Sequence, residues 1–184
     1  MHKKYDDLTE VCIGSERIFE GVVVHLYKDK VRLQDGSESV REVLRDCRAV
    51  CVLPLDKDGN VTVVSQFRYA HDKVLCEIPA GKLDFAGEDR REAALRELRE
   101  ETGAICETLT HIGDIVPSPA ILTEKISMYL AEGLTFGETE YDEGEFIEIV
   151  KIPLPELVDM IMRGEIEDAK TQTAILKIWH LKNK

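Results

Sequence analysis

The pattern RREAALRELREET predicts a helix over 90–102, and that helix carries its glutamates where helix physics resists them. At ~100° per residue, Glu97, Glu100 and Glu101 fall within an arc of roughly 100°. Ala94, Leu95 and Leu98 form the apolar stripe beside them, so the helix packs on a core and shows its acids elsewhere. Gly103 stands where a C-terminal cap belongs. Like charges at these spacings cost about 0.2–0.5 kcal/mol per pair. They also lie in the last turn, where the helix dipole is already negative. A solvated acidic face, offset by neighbouring arginines, accounts for most glutamate-rich helices, but a helix serving only as surface gains by placing such residues at its start. A divalent cation removes the conflict: Mg²⁺ takes carboxylate oxygens, keeps several waters and bridges to substrate phosphates.

The chain of 184 residues fits one domain with a small appendage. Its formal net charge of −12 argues against binding nucleic acid through a general field, which needs basic patches. A small anion remains within reach if metal ions or local arginines neutralise it. Five cysteines, at 12, 47, 51, 76 and 106, form no Cys-x-x-Cys pair, and no histidine cluster completes a zinc site. They read as reduced thiols of a cytoplasmic protein. The polar start MHKKYDDLTE lacks the apolar stretch of a signal peptide, and no apolar run approaches the ~20 residues of a membrane span.

Residues 1–45 read as a small antiparallel sheet: a strand over 17–26 through the run GVVVHLY, a turn at 28–30, a second strand at VRLQ, a hairpin at 35–37 and a third strand over 40–44. Such a sheet is too small to stand alone and needs a partner surface. From 46 to 184, strands are expected at 49–55, 61–66, 112–116, 126–132 and 146–152, with another in CEIPAGKL. Helices are expected at 90–102, 155–163 and 168–181. Strands and helices mix without strict alternation, which predicts an α+β fold with a mixed β-sheet sandwiched between α-helices.

Gly81, Glu88 and Arg96-Glu97-Leu98-Arg99-Glu100-Glu101-Thr102-Gly103-Ala104 together closely resemble the Nudix box, G-x5-E-x7-R-E-U-x-E-E-x-G-U with U aliphatic. Every fixed position matches except one spacing: six residues, KLDFAG, separate Gly81 from Glu88. The extra residue is expected to bulge the loop and leave the helix in register. Further pieces resemble the ADP-ribose pyrophosphatase branch of that family: QFRY at 66–69, EIPAGKLD at 77–84, PSP at 117–119, YLA at 129–131, DEGEFIE at 142–148 and DAKT at 168–171. Two departures stand out. Asp46-Cys47-Arg48 replaces the usual His-Pro-Gly, and Ala120 stands where a glycine commonly follows Ser-Pro.

By this resemblance Glu97 and Glu101 are the main metal ligands, Glu100 assists, and the main-chain carbonyl of Ala80 is a further ligand. Arg96 is placed to hold the glutamates by hydrogen bonds; the plainer reading is a surface ion pair worth ~0–1 kcal/mol. Arg68 is implied to contact the substrate near its phosphates or adenine, against the alternative of an ordinary strand-end arginine. Lys82, Ser118 and Glu124 match substrate-contacting positions. Arg41 and Glu42 lie where the family's N-terminal sheet reaches a partner subunit's site. The acidic stretch ETEYDEGE at 138–145 precedes a strand, as the family's catalytic loop does. Glu143 then matches the catalytic base, with Glu100 the competing candidate, and Glu145 matches an additional metal contact.

The resemblance implies a Mg²⁺-dependent hydrolase, with Mn²⁺ as a possible substitute, that cleaves ADP-ribose to AMP and ribose 5-phosphate. It also implies a homodimer with exchanged N-terminal sheets. Two alternatives stay open: hydrolysis of another nucleoside diphosphate sugar such as ADP-glucose or GDP-mannose, and an inactive Nudix-like domain that senses ADP-ribose. An inactive module is expected to have lost ligand glutamates, and none is missing.

Overall fold

The computed structural model describes residues 8–45, 48–85, 87–141, 144 and 146–184, so Asp46, Cys47, Glu143 and Glu145 lie outside the described residues. The chain divides into two compact units, 1–47 with 118–124, and 48–117 with 125–184.

In the first unit, β1 (Val11–Glu20), β2 (His25–Arg32) and β3 (Glu38–Arg45) form an antiparallel meander in that order. The hairpin at 35–37 stands as expected, with Asp35 accepting from the amide and hydroxyl of Ser37 at 2.9 and 2.6 Å. Two other expectations fail. The register Glu20↔His25 makes 21–24 the connection between β1 and β2, so the valines of GVVVHLY are exposed turn residues. Lys28-Asp29-Lys30 is not a turn but the middle of β2. Its lysines face solvent while Asp29 is buried, accepting from Ser15 Oγ at 2.6 Å and Arg45 Nη2 at 2.5 Å. Cross-strand neutralisation lets a charged triplet run as strand. The 118–124 segment joins this unit along β3: Leu44 donates to the Ile121 carbonyl (2.8 Å) and accepts from the Thr123 amide (3.0 Å).

The second unit is built on β4 (Arg48–Pro54), whose apolar run is buried on both faces. Such a strand belongs in the middle of a covered sheet. It lies between β7 (Ala80–Lys82), antiparallel to it, and β10 (Lys125–Glu132), parallel to it; β9 (Thr108–Ile115) closes the far edge. A second sheet orders β12 (Ile147–Pro153), β5 (Asn60–Arg68) and β6 (Lys73–Glu77), all antiparallel. A two-stranded ribbon pairs β8 (Ala104–Ile105) with β11 (Thr135–Phe136). Alternate residues of β4 serve two cores. Val50 and Val52 pack with Ala93, Ala94 and Leu98 of α1 (Arg90–Thr102). Cys51 and Leu53 pack with Leu157 of α2 (Leu154–Met162) and Ile175 and Ile178 of α3 (Ala169–Lys182). This is the expected α+β arrangement of mixed sheet between helices.

Helix α1 has the expected bounds because both of its ends are set locally. Asp89 caps it, accepting from the amides of Arg91 (2.8 Å) and Glu92 (3.2 Å). Gly103 ends it at φ 67°, its amide bonded to the Arg99 carbonyl. The chain returns to this end later: Gly137 donates to the Gly103 carbonyl (2.7 Å) and Glu140 to the Glu100 carbonyl (3.0 Å). A β-carbon on Gly103 would lie 2.4 Å from the Gly137 carbonyl oxygen. Gly103→Ala therefore meets both a left-handed backbone and a fixed main-chain atom. It is expected to lower stability by about 1–3 kcal/mol, read as a fall in the urea midpoint.

Candidate metal centre

β7 and the last two turns of α1 face one another across a cleft of about 210 Å³. The strand brings main chain: Ala80 and Gly81 pair with Cys51 and Val50 of β4, and the Ala80 amide donates to Glu101 Oε2 at 3.2 Å. The helix brings Glu97 and Glu101, both buried, and the half-buried Glu100. Strand and helix meet so closely that a β-carbon on Gly81 would lie 2.0 Å from the Glu97 carboxylate. Glycine is required here by approach, not by backbone conformation.

Arg96 is the hub of the charges. Its Nη1 donates to Glu97 Oε1 (2.8 Å) and Glu100 Oε2 (3.0 Å), and its Nη2 to the Lys82 carbonyl (3.1 Å). Its Nε faces Asp84 at 3.2 Å and Glu88 at 3.4 Å. Glu88 in turn accepts from the Asp84 amide at 2.7 Å. The loop with the extra residue is thus drawn closed, through a turn in which Glu88 N–H meets the Phe85 carbonyl and Gly87 takes φ 101°. Glu88 still reaches Arg96 despite the longer loop.

Burial pushes the Glu97 carboxyl up to about 7, with Arg96 opposing and Glu100 and Asp84 adding to the rise. Burial lowers the Arg96 guanidinium, but Glu97, Glu100 and Glu88 more than reverse this and hold it above its ordinary value. Among the described residues no three acidic, histidine or cysteine side chains converge as a ready metal cage, since Arg96 stands between Glu97 and Glu100 and Glu101 turns to Ala80. The donor set still suits a hard cation: carboxylate oxygens beside strand main chain, in a cleft where a proton or a guanidinium now offsets the charge.

Of the other residues singled out in the sequence, Lys82 lines the same cleft. Arg68, at the end of β5, makes a two-pronged ion pair with Glu77, through Nε at 2.6 Å and Nη2 at 2.8 Å. Arg41, Glu42, Ser118 and Glu124 belong to the first unit. There Arg41 grips Glu10 through Nε (2.9 Å) and Nη2 (2.6 Å), Glu42 stands opposite Lys28, and the Ser118 carbonyl accepts from Ile121 and Leu122. Reading the sequence missed Glu77. Its signal there is its place at the head of EIPAGKLD, which carries part of the resemblance but gives Glu77 no role of its own.

A NUDIX domain model matches residues 45–173. The chain is 40% identical over 170 residues to the ADP-ribose pyrophosphatase of Bacillus subtilis (strain 168), covering 91% of each. It is 40% identical over 168 residues to the methanol dehydrogenase activator of Bacillus methanolicus, covering 90% of each. A solved structure described as an ADP compounds hydrolase shares the fold, with a TM-score of 0.84 at 22% identity over 98% of this chain and 96% of that one. With the box seated across β7 and α1 and these matches running along most of its length, the chain belongs to the Nudix hydrolase family.

Proposed function

We propose that the protein hydrolyses the pyrophosphate of ADP-ribose to AMP and ribose 5-phosphate, with Mg²⁺ held by Glu97, Glu101, Glu100 and the Ala80 carbonyl, and with Glu145 adding a contact. The observation that carries the reading is the burial of Glu97 and Glu101 against the main chain of Ala80 and Gly81. The relative named ADP-ribose pyrophosphatase supports the substrate. When bound, the cation supplies charge neutralisation at the pyrophosphate and lowers the pKa of the attacking water. The chain's own residues do the rest. Arg96 orients Glu97 and Glu100, Glu143 takes the proton from the attacking water, and Arg68, Lys82, Ser118 and Glu124 hold the substrate.

The test is a screen of nucleoside diphosphate sugars with Mg²⁺ or Mn²⁺, read as phosphate release after phosphatase coupling. ADP-ribose is expected to be turned over fastest, with activity lost in excess chelator and restored by either cation. Faster hydrolysis of GDP-mannose or ADP-glucose moves the assignment to that sugar. Tight ADP-ribose binding without turnover makes the protein a sensor. The reading places the chain in the reducing cytoplasm, where Cys12, Cys51, Cys76 and Cys106 stay free thiols. No helix among the described residues is long and apolar enough to cross a membrane.

We also propose that 46–184 is the hydrolase domain and that residues 1–45 form a homodimer by exchanging their sheets, which brings Arg41 and Glu42 to the partner's site. What supports this is a three-stranded sheet with Val11, Ile18, Phe19 and Val22 exposed, since such a sheet needs cover. The interface is expected in the ~2,000 Å² or larger class of obligate dimers. Light scattering at micromolar concentration is expected to give the dimer mass; a fully active monomer would sink the idea.

A further inference from the structure

Outside the cleft, the second unit buries a charged network between β5, β6 and the start of α3. Glu77, the last residue of β6, is 2% exposed. Besides Arg68, it accepts from Lys170 Nζ, which also donates to Asp168 Oδ1 at 3.0 Å. The Lys170 side chain is 11% exposed. Asp168 caps α3 with its other oxygen, accepting from the amide (2.9 Å) and hydroxyl (2.5 Å) of Thr171. The fully buried Thr171 Oγ1 then accepts from the Ile78 amide at 2.9 Å. Two acids and two bases balance, so the cluster is neutral.

Buried ion pairs are weak grounds for stability, because apolar residues of the same volume often serve as well. This one has a particular place in the chain. It seizes Glu77 and Ile78, and the next residues along are those of the cleft. The Pro79 carbonyl accepts from Val52 (2.9 Å), the Ala80 amide bonds Glu101, and Gly81 lies under the Glu97 carboxylate. One residue separates the main chain held by Thr171 from the main chain that meets Glu101. The first turn of α3 and the last turns of α1 thus grip the same short stretch from its two ends.

We propose that Lys170 is a positioning residue for the acidic cleft: by tying Glu77 to Asp168, and through Asp168 to Thr171, it fixes residues 77–81 against Glu97 and Glu101. The inference rests on the reading of the cleft as a cation site. The ion pairs of Lys170 run to Glu77 and Asp168, not to the acids of the cleft. Its ammonium satisfies two carboxylates at once, and a neutral side chain leaves the half-buried Asp168 without its cation and the buried Glu77 held from one side only.

The experiment compares wild-type protein with Lys170→Met, Lys170→Arg and Thr171→Val. Mn²⁺ binding is followed by the electron paramagnetic resonance of the free ion, without nucleotide, and amide hydrogen exchange at Ala80 is followed in metal-free protein. Lys170→Met and Thr171→Val are each expected to raise the Mn²⁺ dissociation constant by ~10-fold or more and to speed exchange at Ala80. Lys170→Arg is expected to restore most of both. Thr171→Val removes a single hydroxyl and decides the matter if Lys170→Met does not fold. Folded variants with lower melting temperatures but wild-type Mn²⁺ affinity and Ala80 protection would overturn the proposal and leave a purely structural network. Wild-type protein that binds no Mn²⁺ would overturn the reading of the cleft instead, and Ala80 exchange still decides the positioning.

Discussion

Replacing Glu97 with glutamine is expected to lower turnover by ~10²-fold or more and, in the same protein, to stabilise the metal-free form. The loss follows from removing an oxygen charge from the proposed cation site, where a metal contributes several kcal/mol of transition-state stabilisation. The gain follows from the position of Glu97. Burial pushes its carboxyl from the ordinary 4.5 up to about 7. Between those values the folded, metal-free protein holds a proton that the unfolded chain has released. Stability from this group is therefore complete below the unfolded value and is lost as pH rises through about 7. Glutamine never ionises and escapes that loss. Thermal melts in excess chelator are expected to show Glu97→Gln melting above wild type at pH 8, with a smaller difference at pH 5. Glu101→Gln is expected to cut turnover to a similar extent. A Glu97→Gln protein with wild-type turnover would remove this residue from the site.

The second large effect concerns the base. Glu143→Gln is expected to lower turnover by ~10²-fold or more while leaving Mn²⁺ and substrate affinity near wild type. A general base must reach the attacking water without spending its oxygens elsewhere. Glu100 is already engaged: it shares Arg96 Nη1 with Glu97, at 3.0 and 2.8 Å, and it is one of the cation ligands proposed above. Glu100→Gln is therefore expected to weaken Mn²⁺ binding and to be partly rescued by excess Mg²⁺. Single-turnover kinetics beside metal titrations separate the two residues. The reverse pattern exchanges their roles: Glu143→Gln near wild-type turnover, with Glu100→Gln binding metal normally but failing to turn over.

What was legible in the sequence was local. Helix α1 could be read to its last residue because Gly103 is a signal that acts within one turn, and the Asp89 cap at its other end is equally local. The acids of the cleft were legible because helical spacing alone gathers Glu97, Glu100 and Glu101. What escaped depends on partners far along the chain. Lys28-Asp29-Lys30 looks like a turn until Ser15 and Arg45 are seen to neutralise Asp29 from neighbouring strands. The valines at 22–24 look like strand until the register assigns them to the connection. Glu77 and Lys170 meet across 93 positions, and no periodicity carries that. The hub role of Arg96 was half legible: its bond to Glu100 follows from i,i+4 helix spacing, but its bond to the Lys82 carbonyl needs β7 beside α1.

The stitching of residues 137–140 to the end of α1 has a mechanical consequence. Gly137 and Glu140 consume the carbonyls of Gly103 and Glu100, two of the helix's otherwise unsatisfied acceptors. The negative pole of the dipole is thereby partly discharged into the chain that follows, which eases the crowding of acids in that turn. The same bonds make α1 and the entry to the 138–145 stretch a single lever. A substitution that tilts the helix by a fraction of a turn is transmitted to Glu140 without passing through any side chain, so a variant elsewhere on α1 can shift Glu140 while every acid of the cleft is intact.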